Sequence, residues 1–307
     1  MKTKLPLSQV QLCLPNIYLI ESSEQAFGDA FLRAAQILSG HLEQIESAIG
    51  VIKDFKKEPF NLAILGLFSK ICSHYYSYVL LEIHYDRIGS EFLIEHLCEA
   101  AITLTYLLEE VDKTLFSEYI FASVHQARYL LIDVEEQLQK FSNHPDLLIL
   151  KDKLETFIAK EHKQVAARPL TAYSQAYLWG SQEANTTAKR GSIVGLNFLT
   201  NPARQIALRI MPASWLELKL SYLNSFTKRA GTKAKHGINF TCLRDASHLC
   251  LHATQSFLEE VVNHQKIDLP DIESQQQILN LLYEWFHNAH NVYQQLCSTT
   301  IQERDGL

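Results

Sequence analysis

Along most of this chain apolar side chains return every three or four positions. From Ile278 the series runs through Leu281, Leu282, Trp285, Ala289, Val292 and Leu296, the spacing that places one face of an α-helix on a core. The same periodicity covers residues 23–56, 60–86, 90–112, 114–142, 146–166, 170–190, 202–210, 213–229, 239–265 and 271–302. All eight prolines fall between these segments or at their edges, as expected of a residue that breaks the hydrogen bonding of a helix interior and biases its predecessor out of it. Only 10–20, VQLCLPNIYLI, reads as extended. Strands do not alternate with helices, so the pattern predicts an all-α fold, a multi-helix bundle of about eight to ten helices behind a short extended N-terminal segment. Residues 1–22 form that segment and 23–302 a single helical domain, with GSIVGLNFLTNP at 191–202 as the place for a sub-division.

Composition adds constraints to this outline. The 307 residues are 47% hydrophobic and 20% charged, which is ordinary for a globular core. A net charge of -6 argues against coating nucleic acid by bulk attraction. No run reaches the ~18 apolar residues of a spanning helix, because Lys70, His74 and Glu82 divide the most apolar region; membrane insertion is not expected. The six cysteines contain no C-x-x-C pair, which points to a reducing compartment rather than a thiol-held metal. The start MKTKLPLSQVQLCLP has no unbroken apolar stretch, so a cytoplasmic protein is expected.

Candidate chemistry is concentrated in three places. In RDASHLCLH, 244–252, Arg244, His248 and His252 stand at four-residue steps. On a helix over 239–265 they lie opposite the arc of Leu243, Ala246, Cys250, Ala253, Phe257 and Val261. They therefore face water or line a cleft made with another element. In a cleft, the cation and two imidazoles would converge on an anion, or the imidazoles would exchange protons with a phosphodiester. Just upstream, TKRAGTKAKHG gathers Lys228, Arg229, Lys233 and Lys235 around two glycines, a loop suited to phosphate or to a mobile solvated connection.

The second place is EFLIEHLCEAAITLTYLLEE, 91–110, apolar over most of its circumference except for a stripe of Glu95, Glu99 and Tyr106. Carboxylates turned toward a bundle interior must be paired, protonated or bound to a cation, and Arg128 or Lys70 offers an ion-pair alternative. The third is EWFHNAH, where Glu284, His287 and His290 follow at three-residue steps. With Asp245-x-x-His248 it makes two acid-x-x-His units, a partial version of the di-metal carboxylate pattern. That pattern asks for glutamate where Asp245 stands, so no metal and no cofactor are expected. Phosphate-loop, dinucleotide-fold, H-E-x-x-H and G-x-S-x-G motifs are all absent.

The order of FSKICSHYYSYVLLEIHYD at 68–86, FLIEHLCEAAITLTYLLEE at 92–110, YLWGSQEA at 177–184 and LRDASHLCLHAT at 243–254 resembles a family of all-helical bacterial proteins known only as a domain of unknown function. Its members carry an L-x-R-x-x-x-E-A helix, a late Trp-Gly, and a terminal helix with Ser or Tyr before a spaced His. The resemblance implies an all-helical fold and matches Glu99 and His252 to the family's acidic and imidazole positions. Glu95 stands where the family has arginine, and His248 where it has serine. A weaker resemblance, to HEPN-type helical ribonucleases, implies Arg and His meeting at a dimer interface to cut RNA. Here His248 and His252 fall either side of that motif's spacing from Arg244.

These readings leave open whether the chain is an enzyme. The leading expectation is a binding or regulatory module with an anion- or phosphate-binding surface, its partner a phosphorylated ligand or RNA, with homodimerisation compatible. The first alternative is a metal-independent ribonuclease or phosphodiesterase in which His248 and His252 exchange protons and Arg244 with Lys233 or Lys235 stabilises the charged transition state. The second is a helical di-metal oxidase using Glu95, Glu99, His248 and His287.

Overall fold

The computed structural model describes residues 7–20, 23–84, 87–109, 113–141, 144–161, 186–196, 240–265, 267, 269 and 271–305. Among them every regular element is helical and no strand occurs. The helices are α1 (Leu7–Cys13), α2 (Glu24–Gly50), α3 (Pro59–Ile83), α4 (Arg87–Glu109), α5 (Lys113–Lys140), α6 (Pro145–Glu161), α7 (Thr187–Ile193), α8 (Phe240–Glu259) and α9 (Ile272–Asp305). The expected segments 202–210 and 213–229, and most of 170–190, lie outside the described residues. No helix among the described residues is long and apolar enough to cross a membrane.

Local chemistry sets several boundaries. Ser23 starts α2 by accepting the amide N–H of Ala26 at 3.1 Å, which satisfies one of the donors a helix start leaves open. Pro59 opens α3, where its missing N–H is no loss. Gly195, at φ 73°, takes the left-handed conformation just after α7, as glycine does at helix ends. The N-terminal stretch departs from the extended form expected of it. Leu7–Cys13 is helical, and Pro15 follows its end. A helix of seven residues is marginal alone. Tertiary packing overrides the local pattern here: α1 rests on α9, Val10 is buried, and the Trp285 indole donates to the Pro15 carbonyl at 2.8 Å.

The chain packs as two compact units, Met1–Thr105 with Gly195–Leu307, and Tyr106–Val194. One boundary falls inside 191–202; the other cuts through α4, where the sequence carries no break. In the second unit α5 and α6 form a helical hairpin, with Lys151 bonded to Glu135 at 2.9 Å. That pair is exposed, so it adds little to stability.

The first unit is built around α8, which packs against α2, α3 and α9. Leu243, Ala246, Cys250, Ala253, Phe257 and Val261 have no exposed surface, so the arc expected from the sequence is the arc that is buried. α2, packed on α8, contributes the buried residues Phe31, Leu38, Leu42 and Ile49 to this core. From α3 comes Phe68, stacked on Phe257 at 4.3 Å, while Phe55 meets the same ring edge-on at 6.4 Å. A polar link crosses this interior. The Tyr75 hydroxyl lies 2.7 Å from Ser247 Oγ, and Ser247 gives its own proton to the Leu243 carbonyl at 2.6 Å. A serine hydroxyl has one proton, so Tyr75 is the donor, and burial pushes its phenol well up from its ordinary value.

Phe257→Ala should therefore lower the unfolding free energy by about 3–5 kcal/mol in urea titration, and Tyr75→Phe by only about 1 kcal/mol. A Phe257→Ala loss below that of Tyr75→Phe would show that α8 is not the centre of this core.

Candidate functional site

With one arc of α8 committed to the core, the opposite arc sits beside α9, and the two helices form a polar seam. Gln255 bonds Asn280 across it at 3.1 Å. Two turns back on α8, the His248 ring stacks on Tyr283 with centroids 5.1 Å apart and planes 26° apart. It also meets Phe286 edge-on at 6.3 Å. One turn further back stands Arg244, whose Nε donates to Asp245 at 2.8 Å and whose Nη2 donates to the same oxygen. Arg244 and Asp245 keep 20% and 15% of their side-chain surface, which leaves the guanidinium partly open to a ligand.

Electrostatics show which groups share this space. Burial, then the Arg244 charge, then His287 and His290 push the His248 imidazole down to about 4. His290 is lowered by burial and by Arg244 and His287, against an upward pull from Asp245. His287 and His290 follow Tyr283 and Phe286 by one turn on α9, and Arg244 precedes His248 by one turn on α8, so Arg244, Asp245, His248, His287 and His290 lie along the same stretch of the seam, drawn from two of the three places singled out in the sequence. His252 stands one turn beyond His248 on α8, and burial alone lowers its imidazole.

His248 Nε2, His252 Nδ1 and His290 Nδ1 are withdrawn from solvent and have no hydrogen-bond partner among the described residues. A buried polar atom left unmatched costs about 1–3 kcal/mol. Two of these atoms, on His248 and His290, belong to the seam and depart from ordinary packing. Glu284 and His287 are exposed and His290 is half-buried.

The second place in the sequence is corrected by the structure. Glu95 and Glu99 are exposed, whereas Tyr106 is fully buried. The reason is the environment of α4, whose residues from Ala100 to Leu108 are all buried while its first half keeps one side at the surface. The carboxylates therefore have no interior that forces a partner on them; they share a helix face with Tyr106, but only Tyr106 is enclosed. Lys228, Arg229, Lys233 and Lys235 lie outside the described residues. Among the described residues, no group of three or more His, Cys, Asp or Glu is placed to hold a metal ion. The members that sequence reasoning missed are Tyr283 and Phe286. Their signal was present in the register: Tyr283 lies four residues before His287, on the flank of α9 that turns to α8.

No family model matches the chain, and no curated protein or solved structure matches it. The roles assigned to these residues therefore rest on geometry.

Another imidazole is held low by burial. His41 of α2, 4% exposed, lies 3.4 Å from the Gln275 carbonyl, and burial brings it to about 4 despite that bond. Both histidines bind a proton in the unfolded chain below their ordinary 6.5 but not in the fold until about 4. Stability contributed by the neutral rings is complete above the upper value, declines as pH falls between the two, and is gone below the lower. Chemical denaturation across this window should show a fall of up to about 3 kcal/mol from His41, removed in a His41→Gln variant. Parallel pH profiles for variant and wild type would contradict it.

Proposed function

We propose that this chain is a binding module that takes an anionic, phosphate-bearing ligand on the α8–α9 seam. The observation that carries the reading is the part-open Arg244 one turn from His248, whose ring meets Tyr283 and Phe286 of α9 one turn before His287 and His290, where two imidazole nitrogens are out of solvent without a partner among the described residues. Arg244 supplies a planar donor fork matched to phosphate oxygens. Each neutral imidazole supplies one N–H, and a phosphate nearby favours a second by stabilising the imidazolium. Asp245 cancels part of the guanidinium charge, so the seam holds little net charge until a ligand arrives. Selectivity then comes from geometry and from coupled proton uptake rather than from bulk attraction, in keeping with a chain of net charge -6.

One feature favours binding over phosphodiester cleavage. An acid–base pair works best with pKa values near the working pH, and burial holds His248 down at about 4.

Titration of the protein with inorganic phosphate at low ionic strength should shift the ring resonances of His248 and His290 saturably. Affinity should rise as pH falls below neutrality, and Arg244→Ala should weaken it roughly tenfold. The reading fails if the shifts do not saturate, or if Arg244→Ala binds phosphate as the wild type does.

A further inference from the structure

The seam holds more than an anion requires. Tyr283 is 45% exposed, yet one face of its ring lies flat against His248. His248 is held in turn by the edge of Phe286, a residue with no exposed surface that also contacts Phe31 at 5.9 Å and Trp285 at 5.4 Å. A chain of rings thus runs from the core to the surface and ends in an accessible tyrosine. Exposed tyrosines ordinarily sample several rotamers; this one rests on a stacked partner, so a second flat ring could settle on it with little further loss of side-chain entropy.

Arg244 stands four residues before His248 on the same helix, about 6 Å along the axis, and the Tyr283 ring lies beside His248 with centroids 5.1 Å apart. The cation and the exposed ring are thus within a nucleotide's length of each other. Resting on the anion reading above, we infer that the ligand of this seam is a nucleotide, its base stacked on Tyr283 and its phosphate held by Arg244 with His287 and His290. Both a free nucleotide and the end of a single-stranded nucleic acid present this chemistry. A phosphorylated peptide would use the guanidinium and imidazoles equally well but gives the Tyr283 ring nothing to stack.

Calorimetry with adenosine monophosphate, ribose 5-phosphate, a phosphoserine peptide and a short single-stranded RNA separates these cases. The nucleotide should bind roughly tenfold tighter than the sugar phosphate. Tyr283→Ala should abolish that preference without weakening ribose 5-phosphate, and Tyr283→Phe should keep it. Tighter binding by the RNA than by the nucleotide assigns the ligand to a strand, and equal or weaker binding assigns it to the free nucleotide; either outcome supports the stacking. Equal affinity for nucleotide and sugar phosphate, a phosphopeptide matching the nucleotide, or a preference that survives Tyr283→Ala overturns it and leaves the anion reading standing. Failure of all four probes to bind overturns both.

Discussion

The enclosure of α8 is the constraint on which the rest of the first unit depends. Its apolar arc is removed from water between α2, α3 and α9, and close-packed interiors of this kind tolerate little slip. Rotating α8 by even one residue, about 100°, would pull Phe257 off Phe68 and drive Arg244 or His248 toward aliphatic neighbours. With the rotation fixed, part of the remaining arc turns to the flank of α9, where His248 meets Tyr283 and Phe286. The seam is therefore a by-product of core packing.

Because the seam is half enclosed, its chemistry differs from that of a surface cluster. Burial suppresses the charged forms of His248, His252 and His290, and Arg244 is balanced by its neighbour Asp245. A cluster of cations facing water would attract any polyanion and would be screened by salt. Neutral imidazoles in a partly dry seam act instead as directional donors and acceptors, with a charge that appears only when an anion favours it. The aromatic chain beneath His248 serves both ends: it anchors the ring from the core and supports Tyr283 at the surface.

Much of this was legible in the residues. The buried arc of α8 and the stripe on α9 follow from three- and four-residue spacing, because burial of one helix face is dictated by the helix repeat alone. The same spacing placed Arg244, His248 and His252 away from the core. It could not tell water from a neighbouring helix, because both are compatible with a polar arc. Glu95 and Glu99 show the reverse failure: a helix apolar nearly all round suggested full enclosure, whereas its two halves sit in different surroundings. The helical form of Leu7–Cys13 was hidden because the contact that holds it, Pro15 with Trp285, joins residues far apart in the chain.

The sequence by itself determined the helical class, most helix positions and the face of each central helix that is buried, since these depend on interactions between residues a few positions apart. Only the tertiary structure decided that the Arg244 stripe and the EWFHNAH stripe stand side by side, that Tyr283 lies flat on His248, and that the α4 carboxylates stay in water. Each of those outcomes turns on which helix packs next to which. That choice is made by the shape and burial of the whole core, and it leaves no local periodicity to read.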